Sequence, residues 1–329
     1  MSQSDRTAPT EAGDRPTVVV GVDGSSASRD VLVHALLAAA RRGADLDVVS
    51  SVTAELYYLG GAPMVVPDLG AIRDEAREQV RTLVDEVGAD AQISSVPGVS
   101  EVRIRLVVTE RPPAPDLVDR SVDAMLLVVG SRGRGAGRSA LLGSVALHCA
   151  THAACPVVVV HPSPVAATRP PRVVVGVDGS PASRLALAAA VEEAARLDGG
   201  VEVVTSYQTT DYWTDLSSVV VPAVEEVRER LEERARQLVD EVLAEDRRGA
   251  VPPIGIEVHE GPADDVLVQR SQGAALLVVG SRGRGAFRAL LLGSVALRCA
   301  MHADCPVMVV RPAGVRDAAD RSEPAMAGM

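Results

Sequence analysis

Two stretches of this chain carry the same chemistry-bearing residues at the same spacing. Residues 126–147 read LLVVGSRGRGAGRSALLGSVAL and residues 276–297 read LLVVGSRGRGAFRALLLGSVAL. Gly130, Gly133 and Gly143-Ser144 recur as Gly280, Gly283 and Gly293-Ser294. Each set begins where an apolar strand ends and closes where a helix starts. Glycines there let backbone N–H groups approach an anion, and a helix start adds the positive end of its dipole. The pattern G-x2-G-x9-G-S is the physical recipe for a phosphate cradle, written twice. Ser144 and Ser294 can cap their helices and donate a hydroxyl to phosphate, with Val145 and Val295 beside them. Arg132, Arg134, Arg282 and Arg284 flank the glycines and either pair with phosphates or stay solvated.

A second constellation is V-D-G-S, with Asp23 and Asp178 at the end of an apolar run. Such an aspartate either shapes a turn and caps a helix, or meets the adenine edge or ribose of a nucleotide. His152 and His302 end the motif helices, where the dipole favours a cation; metal ligation is not the expected role. Three other nucleotide or phosphate sites are excluded by residue type. A dinucleotide fold needs G-x-G-x-x-G after its first strand, where this chain has D-G-S. A P-loop needs G-K-[ST], and the chain contains no lysine. A receiver domain needs an acidic pair and a lysine that are missing here.

The elements that must position these residues alternate strand and helix. TVVVGV (17–22) is continuously apolar, the mark of a strand buried on both faces. Ser25 or Ser26 is expected to cap the next helix, about 27–42, whose inner face carries Val31, Ala35 and Ala38. LDVVSSV (46–52) is a second strand. A helix with Ile72, Ala76, Val80, Leu83 and Val87 on one face follows a loop through Met64 to Pro67. VRIRLVV (102–108), a short helix near 115–122, MLLVVG (125–130), the motif helix (144–153) and PVVVVH (156–161) complete the half. This alternation implies a parallel sheet with helices on both faces, and ligands at the carboxyl ends of the strands.

The chain is a duplication. TVVVGVDGSSAS (17–28) recurs as RVVVGVDGSPAS (172–183), and 30 of 39 positions agree between 124–162 and 274–312. The expected organisation is a domain over 16–162, a linker over 163–170 and a domain over 171–312, with disordered ends at 1–15 and 313–329. The net charge of −11 and the scarcity of aromatics argue against nucleic acid. The N-terminus lacks a signal-peptide core and no apolar run is long enough to span a membrane, so a cytoplasmic protein is expected. Cys149, Cys155, Cys299 and Cys305 read as buried, reduced thiols.

GVDGS (21–25, 176–180), VVGSRG (128–133, 278–283) and LLGSV (141–145, 291–295) together resemble the motifs of the universal stress protein family, ATP-binding type, in tandem form. The resemblance covers nearly all of both domains. It implies two doubly wound α/β domains, each a parallel sheet of order 3-2-1-4-5 with helices on both faces. It implies ATP in each half, with Mg²⁺ or Mn²⁺ on the phosphates. Asp23 and Asp178 would contact adenosine, and Ser51 and Ser206 would flank the base. The cradle glycines and serines would hold ribose and phosphates. Last strands pair across a two-fold axis in this family, so the halves would pair within one chain, with a homodimer as a further option.

One departure stands out: Glu260-Gly261-Pro262 keeps the family's turn, whereas Glu110-Arg111-Pro112 puts an arginine at the first site. Arg111 would either narrow that site or give it a phosphate partner. No His, Glu or Lys lies within the repeated motifs to act as a base. A nucleotide-binding regulatory protein is therefore the leading reading, and a slow ATPase or adenylate-transferring enzyme the alternative.

Overall fold

A computed structural model describes residues 15–52, 68–133, 142–162, 169–208, 224–245, 251–283 and 292–312. Most of the expected linker, both chain ends beyond Arg15, the Met64–Pro67 loop, Arg134 and Arg284 lie outside these. In the first half the elements are β1 (Thr17–Gly21), α1 (Ser28–Arg42), β2 (Asp45–Ser51), α2 (Leu69–Ala89), α3 (Ala91–Ser94), β3 (Ile104–Thr109), α4 (Pro113–Arg120), β4 (Leu126–Gly130), α5 (Ser144–His152) and β5 (Val157–Val160). The second half repeats them as β6 (Arg172–Gly176), α6 (Pro181–Arg196), β7 (Gly200–Tyr207), α7 (Val224–Glu245), β8 (Ile254–Glu260), α8 (Ala263–Arg270), β9 (Leu276–Gly280), α9 (Ser294–His302) and β10 (Val307–Val310). The short helix α4 starts two residues earlier than expected, because Pro113 fits a first helical turn, where no N–H is needed.

The sheet order is β3-β2-β1-β4-β5-β10-β9-β6-β7-β8. Each half has the expected 3-2-1-4-5 order with parallel neighbours. The halves do not form separate sheets. β5 and β10 pair antiparallel, Val159 opposite Val307 and Val157 opposite Val309, so one sheet of ten strands runs through the chain.

Strand alternation sorts the side chains onto two faces. Val18, Val20, Val158, Val173, Val175 and Met308 join one core with α1, α2, α6 and α7, continuous across both halves. On the other face Val19, Leu127, Val157 and Val159 pack with α4 and α5. Val174, Leu277, Val307 and Val309 do the same with α8 and α9. Branched aliphatics fill this role well on a pleated surface buried from both sides.

Polar contacts reinforce the junction. Arg42 at the end of α1 forms a tight ion pair with Glu193 of α6, and Arg196 reaches the same carboxylate at 2.7 Å. Nε2 of the buried His161, just after β5, lies 2.9 Å from the Ala300 carbonyl of α9. Burial pushes the His161 imidazole below its ordinary pKa.

His34, half-buried on α1, is pushed down to about 4 by burial, with Arg41 and Arg42 adding repulsion. Its unfolded value is near 6.5, so between those values the unfolded chain binds more protons. Stability held above pH 6.5 is therefore lost as pH falls toward 4, by roughly 2 kcal/mol after allowance for partial exposure. His34→Gln is expected to flatten the dependence of the urea midpoint on pH between 7 and 4.5. An unchanged slope would show that another group governs it.

The four cysteines are buried free thiols, all pushed up to about 12 by burial. Thiols so far from the thiolate form are poor nucleophiles and poor metal ligands. Among the described residues no three His, Cys, Asp or Glu side chains converge to hold a metal. No helix there is long and apolar enough to cross a membrane.

Candidate functional site

The carboxyl ends of β1 and β4, and of β6 and β9, bring the two constellations together. β6 ends at Gly176, and Asp178 follows in a turn that needs Gly179 at φ +75. Oδ1 of Asp178 accepts the Ser180 N–H at 2.9 Å, and its Oδ2 faces Gly283. A Cβ built on Gly283 would lie 2.5 Å from that Oδ2, and one on Gly133 would lie 2.7 Å from Oδ2 of Asp23. Each aspartate thus has one oxygen in its own turn and the other against the cradle. The turn-forming and site-facing roles hold together.

The helix starts differ from expectation. Ser25 and Ser26 do not cap α1: its cap residue is Ala27, with no side-chain bond, and the Ser28 N–H goes to the Ser25 carbonyl at 3.0 Å while the Ser28 hydroxyl donates to Asp23 Oδ1 at 3.0 Å. In the second half Ser180 does cap α6, accepting from the Ser183 N–H at 3.2 Å. Ser144 and Ser294 are not caps either. They are the first helical residues, and the cap positions are Gly143 and Gly293, which offer no side chain. The first-turn N–H groups of α5 and α9 have no intrahelical partner and no side-chain acceptor at the cap, which suits an incoming anion. Gly143 N–H donates to the Ser131 carbonyl at 2.8 Å, and Gly293 to Ser281 at 2.8 Å, so the strand exit is clipped to the helix start in both halves.

The glycines divide by role. At Gly280 a Cβ would sit 2.8 Å from the backbone carbon of Ala182, and at Gly130 one would sit 3.1 Å from Val31 Cγ2. These two admit the helix that follows the first strand of each half. Gly133 and Gly283 face the aspartates instead.

In the second half these residues enclose a cavity of about 380 Å³. Asp178, Ser206, Gly280, Arg282, Gly283, Gly293, Ser294 and Val295 all line it, with Leu267 and Ala263 of α8 forming a wall. The volume falls within the usual range for a small-molecule site. The matching first-half positions carry the same residues at all but one of these sixteen lining positions, Pro113 standing for Ala263. Gly261, expected at the site, is not among the residues that line the cavity: it takes φ +136 in the turn between β8 and α8 and donates its N–H to the Tyr207 carbonyl at 2.8 Å.

Arg111 does not reach toward the cradle. Its guanidinium donates to Asp116 at 2.8 Å and to Asp119, and its carbonyl accepts from the Ser51 hydroxyl. Sequence reasoning missed Asp116, fully buried and also bound by Arg120 at 2.8 Å. It also missed Ser131 and Ser281. Their buried hydroxyls have no partner among the described residues, a free polar group at the strand exit of each cradle. Both serines sit in GSRG, so the signal was present but was credited to the glycines.

His152 lies in the last turn of α5, its Nδ1 3.0 Å from the His148 carbonyl. The model of the universal stress protein family matches residues 15–161 and 171–311. The chain belongs to the universal stress protein family. It is 37% identical over 304 residues to Universal stress protein Rv2005c of Mycobacterium tuberculosis, covering 89% of this chain and 96% of that one. It is 33% identical over 299 residues to a universal stress protein of Mycolicibacterium smegmatis, covering 90% and 97%. Among solved structures, a universal stress protein from Archaeoglobus fulgidus superposes with TM-score 0.59 at 19% identity, covering 90% of this chain and 96% of that one. A universal stress protein from Pseudomonas aeruginosa gives 0.56 at 14%, covering 91% and 94%. This tandem universal stress protein therefore shares its whole two-half architecture, not one domain, with full-length relatives.

Proposed function

We propose that each half is built to bind an adenine nucleotide, ATP, with a divalent cation, Mg²⁺ or Mn²⁺, on the phosphates, and that occupancy sets the protein's conformation or choice of partner. The observation that carries this reading is the second-half cavity. It combines a bare helix start, a glycine that faces an aspartate side chain, and that aspartate on one wall. Gly283, Gly293, Ser294 and Arg282 would hold phosphates, by N–H donation and by charge. Asp178 would accept from the ribose or adenine, and Ser206 would flank the base. Asp23, Ser51, Gly130, Arg132, Gly133, Gly143, Ser144 and Val145 would play the same parts in the first half. The cation would neutralise phosphate charge, and no protein residue is needed to hold it.

A regulatory binder is preferred to an enzyme because, among the described residues, the cavity lining holds no His, Glu, Cys or Tyr to move a proton, and its one carboxylate, Asp178, already accepts the Ser180 N–H. Isothermal titration calorimetry on nucleotide-free protein is expected to show saturable heat with ATP and Mg²⁺. Phosphate release is expected to stay near the uncatalysed background. Absence of heat at millimolar ATP would refute binding, and steady turnover would return the enzyme reading.

A further inference from the structure

The two halves share their lining residues except at Pro113 and Ala263, and they differ in the turn that leads into the wall helix. In the second half that turn carries Gly261, with Val266 one turn into the wall helix α8. In the first half the same positions are Arg111 and Asp116. This is a paired exchange. A Cβ on Gly261 would lie 3.5 Å from Val266 Cγ2, in ordinary contact, so space does not forbid a side chain there. The backbone does: φ +136 is a conformation that residues other than glycine rarely adopt. Among the described residues Asp198 is the one non-glycine at positive φ, so Arg111 takes a different path.

The different path changes what the turn bonds to. Gly261 hangs on β7 through the Tyr207 carbonyl. Arg111 instead donates its N–H to Thr109 Oγ1 at 3.1 Å and turns its carbonyl onto the Ser51 hydroxyl. Its guanidinium is held by Asp116, a fully buried carboxylate, and by Asp119. Charge-assisted bonds to a buried carboxylate are among the stronger polar contacts, and breaking this one would leave Asp116 with Arg120 alone. The arginine is therefore committed to the wall helix and is not offered to a phosphate. The Ser51 hydroxyl, whose counterpart Ser206 lines the second-half cavity, is committed as well.

We infer that the two nucleotide sites are inequivalent, and that the Arg111–Asp116 pair makes the second-half site the tighter one. This rests on the reading of both cradles as ATP sites. A nucleotide that takes a bond from the Ser51 hydroxyl must compete with the Arg111 carbonyl for it, whereas the Ser206 hydroxyl stands in the second-half cavity. Giving up one such bond weakens the first site by about tenfold. At intermediate ATP the chain is then half-loaded, with the second half occupied. The continuous sheet offers a route for the first half to sense it.

The test is calorimetric titration of the full chain with ATP and Mg²⁺, alongside thermal melts of each variant. The parent is expected to show two classes of site separated by about tenfold. Gly283→Val should abolish the tight class and Gly133→Val the weak one. The double variant Arg111→Gly/Asp116→Val, which gives the first half the second half's residues, should bring the two classes together. Should that variant melt early, Arg111→Gly alone is read instead, which leaves Asp116 paired with Arg120, and it should narrow the gap between the classes. Two equal classes in the parent, or loss of the tight class in Gly133→Val, would overturn the inference while leaving ATP binding intact. A parent that takes up no nucleotide removes both.

Discussion

Glu193→Ala is expected to destabilise the chain by about 3–5 kcal/mol, the usual result of breaking one side of a buried ion pair. Arg42 is only 5% exposed at its side chain and Glu193 11%, and they join α1 of the first half to α6 of the second. Burial already lowers the pKa of Arg42, with the Glu193 charge opposing that effect. Without the carboxylate the guanidinium stays buried beside Arg41 and Arg196, with like charge around it. Guanidinium chloride denaturation should show a large drop in midpoint. Because Arg42 and Glu193 belong to different halves, a separate early transition for one half is also expected. The double variant Arg42→Leu/Glu193→Leu should recover most of the loss, since no charge is then left buried. A Glu193→Ala midpoint equal to the parent's would show that the halves are held by β5, β10 and the shared core alone.

Gly280 and Gly283 lie three residues apart and are expected to fail in opposite ways. Gly280→Ala places its Cβ 2.8 Å from the Ala182 backbone carbon and 2.9 Å from its oxygen. Backbone cannot swing aside as a side chain can, so α6 must shift, at a cost of about 1–3 kcal/mol in stability. Gly283→Val meets Asp178 Oδ2, the end of a side chain at the surface of the cavity. The fold should tolerate it, with a melting temperature close to the parent's. ATP affinity in that half should drop by about a hundredfold, as the side chain stands where the backbone would meet a phosphate. Thermal melts and calorimetry on the two variants separate packing from ligand contact. A Gly283→Val protein that binds ATP like the parent would mean the phosphates lie elsewhere.

The sequence by itself determined the duplication, the class of fold and the neighbourhood of the site. The apolar runs at 17–22 and 125–130 are short and rich in valine or leucine, which favours strands covered on both faces, and the order of strands and helices then leaves few topologies. The glycine spacing marked a strand exit and a helix start, because those are the places where backbone must come close without a Cβ. Which glycine serves which purpose was not legible. Gly280 answers to Ala182, nearly a hundred residues away, and Gly283 to Asp178, and neither partner can be named from local spacing.

Helix caps went wrong for a related reason. Ser25 and Ser26 are good caps in isolation, but Ser28 turns its hydroxyl to Asp23 and gives its N–H to the Ser25 carbonyl, whereas in the second half Ser183 turns its hydroxyl to the Ser180 carbonyl and gives its N–H to the Ser180 hydroxyl. Gly143 and Gly293 displaced the serines from the cap position because the clip to Ser131 and Ser281 sets where each helix begins.

The fate of Arg111 was decided by tertiary structure alone. Charge at a site rim reads from sequence as a phosphate partner, and only packing shows a buried carboxylate, Asp116, already holding it. The single sheet through both halves was expected only from the family resemblance, in which last strands pair, and the β5–β10 pairing bears that out; the strands themselves do not encode it. β5 and β10 each read as a buried last strand, and an edge so apolar must be covered by something. That the cover is its own duplicate, locked by Arg42 and Glu193, follows from two-fold complementarity that no single strand encodes.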